Sequence, residues 1–120
     1  MKSEKSYFPG LKIDPALHRS VPDAGCVVSD RISVDGCEIG VMYRDIPIPN
    51  TPDSGWVFLA GDEDGVYMNT PGNNTVFPLE TICSYDPDIV PFLDSDVETA
   101  FIRNENGGFV LQKHFFDEED

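Results

Sequence analysis

The chain has 120 residues, 40% of them hydrophobic, with eight Phe, four Tyr and one Trp, enough for one domain with a single core. It carries 22 acids against eight Lys and Arg, a formal net charge of −14. Such a balance repels phosphate, so it argues against direct binding to nucleic acid or an anionic membrane; it would attract a basic protein, though composition alone reads first as an acidic, soluble surface with no particular partner. The charge is also uneven: residues 1–60 hold eight acids and six bases, residues 61–120 fourteen acids and two bases.

Residues 1–23 read as an irregular N-terminal segment. Pro9, Pro15 and Pro22, with Gly10, leave room for one short helical turn around residues 14–18. The opening MKSEKSYFPG lacks the apolar stretch of a signal peptide, and no apolar run is long enough to span a membrane. Three cysteines, Cys26, Cys37 and Cys83, make no even disulfide framework, which points to a reducing, cytoplasmic compartment.

From there the expected elements follow in order. Residues 26–30 and 38–45 read as two strands, with a good turn signal between them at Asp35-Gly36. The Pro-rich PIPNTPDSG is a loop that does not suit an inner strand. Residues 56–60 are a third strand, apolar without a break and so close to buried on both faces. It runs into Asp62, Glu63 and Asp64, closed by Gly65. The following VYMNTPGNNTVFPLE reads as a loop. LETICSYDPDIVPFLDS is helical in two short pieces, with Asp86 as cap and Pro87 in the first turn of the second. Ile82, Ile89, Phe92 and Leu93 face the core. Residues 98–103 and 109–112 form a hairpin around NENGG, and residues 114–120 are an acidic tail. The predicted class is α+β: one small domain, a mostly antiparallel sheet of about five strands and one or two short helices late in the chain.

No catalytic set emerges. The run DEDG has contiguous acids where a calcium loop needs alternating ones, and adjacent strand residues point to opposite faces. Its first reading is a turn. Asp86 and Asp88 suit helix capping better than acid–base work. His18 and His114 lie near opposite ends and the cysteines are scattered, so no metal-ligand spacing exists. There is no phosphate loop or dinucleotide fingerprint. No catalytic residue, metal or cofactor is therefore expected. The alternatives to a binding protein are a housekeeping module and a small ligand-binding or enzymatic domain built on Asp86, Asp88 or Cys83.

In this order, VVSDRISVDGCEIGVMYRDIP, GWVFLAGDED with YMN, LETICSYDPDIVPFLDS and ETAFIR resemble a bacterial family first described as a domain of unknown function. That family is grouped with the predicted immunity proteins of polymorphic toxin systems as the Imm33-like domain. The resemblance covers about residues 26–112 and places the domain at 24–113. It implies a cytoplasmic inhibitor that binds a toxin domain, and it implies no catalytic residues. Candidate partner contacts are Asp62, Glu63, Asp64, Asp86 and Asp88, with Trp56 and Tyr85 as aromatic anchors.

Overall fold

In a computed structural model of the chain, residues 25–50, 53–70 and 72–112 are described. The expected helical turn at 14–18 and the acidic tail lie outside these residues. Six strands form one sheet: β1 (Gly25–Ser29), β2 (Val41–Arg44), β3 (Asp53–Leu59), β4 (Asn74–Pro78), β5 (Thr99–Arg103) and β6 (Phe109–Leu111). Their spatial order is β4-β1-β3-β2-β5-β6. Only β1 and β3 run parallel; every other pair is antiparallel. The α+β class holds, with one more strand than expected.

The extra strand is β4, which lies where a loop was expected. NTVFP is short and ends in Pro, so its pattern is weak. It is an edge strand whose Phe77 is buried while Val76 stands 59% exposed. The same stretch also holds a short helix, α2 (Gly65–Asn69), capped by the Asp64 side chain, which accepts from the Tyr67 amide at 2.8 Å.

The first two strands do not pair with each other across the Asp35-Gly36 turn signal. β1 is flanked by β4 and β3, and β2 by β3 and β5. The residues between them instead make a one-turn helix, α1 (Asp30–Ser33), capped by the Ser29 hydroxyl. Asp35 and Gly36 close that helix: the Asp35 amide donates to the Asp30 carbonyl and Gly36, at φ 81°, donates to Ile32. The turn signal was read correctly as a turn, but it ends a helix rather than joining two paired strands.

Directly opposed residues in a sheet share a face. Val28, Phe58, Met42 and Phe101 therefore stand side by side on the inner face, with Cys26 beside Phe77 and Trp56 further along. Ile32 of α1, Ile82 of α3 (Leu79–Tyr85) and Ile89 of the 3-10 helix Pro87–Phe92 close this core, with Phe92 and Leu93 packed against it. Each fully buried large apolar side chain contributes about 1.5–3 kcal/mol. Trp56, 1% exposed, stacks near Phe58 at 6.2 Å and donates its indole N–H to the Leu93 carbonyl at 3.3 Å. β3 alternates: Trp56 and Phe58 face the core, while Val57 and Leu59 are half-buried on the other side.

Two glycines set close approaches. A Cβ on Gly40 would stand 2.2 Å from the Ala60 carbonyl oxygen. One on Gly55, at φ +87°, would stand 2.2 Å from that of Asp45. These contacts hold β2 and β3 together at both ends, through the Gly40 amide to Leu59 and the Asp45 amide to Gly55.

Candidate functional site

The strand directions bring the two acidic runs to one end of the sheet. β3 and β5 finish there and β2 begins there. Gly40 and Val41, Ala60, Gly61 and Asp62, and Ile102, Arg103 and Asn104 line an open groove of about 560 Å³ with Cys37 and Glu38. A second hollow of about 290 Å³ is lined by Gly36, Glu38, Tyr85 and Asp86, so Glu38 borders both. Distant segments carrying Asp62 and Asp86 thus meet around Glu38, which no local sequence pattern shows.

Arg103 organises this end. Its side chain is 5% exposed and lies on the same face as Phe101, where the alternation of β5 calls for an apolar residue. The guanidinium pairs with Asp86 at 2.5 Å and Asp88 at 3.2 Å, and approaches Glu38 at 3.6 Å. It also donates to the Ile39 and Gly107 carbonyls, at 2.7 and 2.8 Å, and sits 4.3 Å from the centre of the Phe109 ring. The donors are thus satisfied, as a buried guanidinium requires. Asp86, 14% exposed, is consumed by this pairing, while Asp88 is 66% exposed. Asp86 also caps the 3-10 helix by accepting from the Asp88 amide, as its spacing before Pro87 predicts. Tyr85 is half-buried and donates to the Cys37 carbonyl at 3.3 Å. Burial, with Asp86 nearby, pushes its phenol up.

The DEDG run splits three ways. Asp62 pairs with Arg31, whose guanidinium holds its carboxyl below the usual range, and remains 59% exposed. Glu63 turns back: its two carboxylate oxygens accept from the Ala60 and Gly61 amides, each at 2.8 Å. Burial raises its pKa, but hydrogen bonds from the Ser29 hydroxyl and those amides outweigh burial and hold it low. Asp64 caps α2 and is exposed. The run joins β3 to α2, with Asp64 as the cap and Gly65 as the first residue of the helix. Of the named candidates, Asp62, Asp64 and Asp88 face solvent, Tyr85 lies at a rim, and Glu63 and Asp86 are tied to the fold. Trp56 is in the core, which removes it from any contact surface; its apolar strand position was the sign of that.

The charge is one-sided at the surface. The described residues hold fifteen acids and three arginines. All three arginines are engaged within the fold: Arg31 with Asp62 and Asp35, Arg44 with the Ser54 and Ser95 carbonyls, and Arg103 as above. Each of these guanidinium groups already meets carboxylates or backbone carbonyls, and the described acids outnumber them fifteen to three.

Among the described residues, no three His, Cys, Asp or Glu side chains come together as a metal site. No helix there is long and apolar enough to cross a membrane. The three cysteines are free. Burial pushes the thiols of Cys26 and Cys83 up, which favours the unreactive protonated form. Sequence reasoning missed Arg103. Its signal is a lone Arg at an inward position of β5.

Residues 26–113 match the Immunity protein Imm33 domain, and the chain belongs to that family. No curated protein and no solved structure matches it.

Proposed function

From that membership we propose that the chain is a non-enzymatic, cytoplasmic inhibitor that binds a basic toxin domain and blocks it. The face it uses is the acidic end of the sheet, where Glu38, Asp62 and Tyr85 line the two hollows and the exposed Asp88 pairs with Arg103 of the first; Asp64 follows Asp62 in the same run. One observation carries this reading: the described residues hold fifteen acids against three arginines, and each arginine is already engaged with carboxylates or backbone carbonyls, so a net negative field remains even with Glu38, Asp62 and Asp88 beside arginines. Such a field draws in a basic partner and speeds the encounter. Toxin domains that act on nucleic acid are often basic, and an acidic surface can stand in for their substrate's charge.

The test is capture from lysate of the native cell, elution with a salt gradient and identification by mass spectrometry. The expected result is one stoichiometric basic protein carrying a toxin domain, released as salt rises. It should also lose its toxicity when co-expressed with this chain. No such partner, or a partner whose toxicity is unchanged, overturns the reading.

A further inference from the structure

Among the described residues, three of the four helical pieces contribute to the core, through Ile32 of α1, Ile82 of α3 and Ile89 of the 3-10 helix. The fourth, α2, buries none of its residues. Its Val66 is 77% exposed, the highest value among the large hydrophobic residues described. Tyr67 and Met68 beside it are half-buried. A helix of five residues is too short to persist on its own propensity, and this one is held by polar ties. The Asp64 carboxylate and carbonyl accept from the Tyr67 and Met68 amides at 2.8 and 3.0 Å. The Thr70 hydroxyl donates to the Val66 carbonyl at 2.6 Å, and the Asn73 side chain donates to that of Tyr67 at 3.0 Å. The backbone is thus fixed while the Val66 side chain stays in water.

α2 also stands at the acidic end of the sheet. Asp62, 59% exposed, and the exposed Asp64 lie between the end of β3 and the helix. On the other side the Asn73 carbonyl accepts from the Asp30 amide, at the end of β1, at 2.8 Å. Residues 65–79 carry no charged side chain, in a chain of net charge −14. A small uncharged platform of Val66, Tyr67 and Met68 is therefore bordered by solvent-facing carboxylates. A lone exposed valine is ordinary, and its setting is what distinguishes Val66. Charge is excluded from the centre, Tyr and Met are present there, and polar groups form the rim, which is the make-up of a protein interface.

We infer that α2 is the apolar centre of the contact with the toxin domain, and that its counterpart there is an apolar hollow ringed by lysine or arginine. Charge complementarity calls for the ring: Asp62 and Asp64 border α2, and the groove lined by Ala60, Gly61 and Asp62 leads into the same run. The acids and the helix then act on different rates. Exposed carboxylates draw the partner in and set the speed of encounter. A desolvated apolar anchor sets how long the partner stays. The aromatic anchor expected at Trp56 is in the core, and Val66 with Tyr67 takes that part at the surface. The inference rests on the inhibitor reading and adds to it the contact that fixes residence time.

Val66→Asp separates anchor from field, because the two predict opposite signs. The added acid strengthens the negative field and suits the first turn of a helix, so urea unfolding should show no loss of stability. With the toxin domain captured by the parent chain, stopped-flow association should be as fast or faster. Dissociation should speed up by at least about ten-fold, so that affinity falls. Val97→Asp adds the same charge to a valine 40% exposed at the opposite end of the sheet, beside Glu98, whose amide donates to the Arg44 carbonyl where β2 ends. It should leave dissociation unchanged. If Val66→Asp binds the captured domain as tightly as the parent or more tightly, the inference falls while the inhibitor reading stands. If Val97→Asp weakens binding as much as Val66→Asp, added charge rather than a lost anchor is the cause, and the inference falls again. If the parent chain captures no toxin domain, both fall.

Discussion

The two acidic runs look alike in sequence and do different work. At residues 86–88 the carboxylates converge on one buried cation, and Asp86 is largely withdrawn from water. At residues 62–64 each carboxylate goes its own way, to an exposed arginine, to backbone amides and to a helix cap. The first run is a clamp between the 3-10 helix and the β5–β6 hairpin. The second is a connection whose outer acids remain available. Acidic composition alone therefore does not mark a contact surface; the burial of the partner cation separates fold from surface.

Arg103→Met breaks the comparison most sharply. It strips the clamp of its cation and leaves Asp86 nearly buried without a partner. Removing one partner of a buried pair costs about 3–5 kcal/mol, and urea unfolding should show a loss of that size. A loss under about 1 kcal/mol would mean that the clamp is a surface pair like Arg31 with Asp62.

Gly40→Ala probes the join between the two regions, since Gly40 lies between Ala60, just before the DEDG run, and Arg103, whose amide donates to the Gly40 carbonyl at 2.8 Å. The added methyl meets backbone rather than a movable side chain. The expected cost is about 1–3 kcal/mol in urea unfolding.

What could be read beforehand follows from distance along the chain. The Asp86-Pro87 cap, the β5–β6 hairpin and the inward Ile82 and Ile89 all rest on neighbours within a few residues, and all appear as expected. The partners of β1 rest on longer reach: β3 and β4 lie beyond two loops, and the nearer turn at Asp35-Gly36 joins it to neither. β4 and α2 were missed because Pro78 weakens one and Gly65 the other, though Asp64 before Gly65 was a usable cap signal. At the acidic end the candidates were legible as residues, but their meeting around Glu38 was not. Neither was Arg103, because a lone arginine in a strand is ordinarily exposed.

Glu63 sharpens the second region. Its carboxylate is held below the usual glutamate value, near 4.5, by the Ser29 hydroxyl and two amides that outweigh burial. A lowered folded-state pKa means the contribution is complete above the ordinary value and is lost as pH falls through the lower one. Glu63→Gln should cost about 1 kcal/mol at neutral pH, a figure reduced for partial exposure, and flatten stability below pH 4.5. Urea midpoints of both chains between pH 3 and 7 check this; parallel curves would mean that another carboxylate sets the acid limb.

The smallest effect on folding belongs to Asp62, and there the comparison turns to function. Its pair with Arg31 is exposed on both sides, 59% and 36%, so Asp62→Asn should leave the urea midpoint unchanged. Asp62→Lys reverses a charge that the fold does not need but the proposed partner does. With the captured toxin domain, stopped-flow association should slow at low salt and its salt dependence should become shallower, while dissociation changes less. Glu63→Gln should give the opposite pattern, a loss of stability with the association rate kept, because its carboxylate faces its own backbone. If the two substitutions slow association equally, the acids of this run act as a diffuse field, and Asp62 is no more a contact than its neighbour.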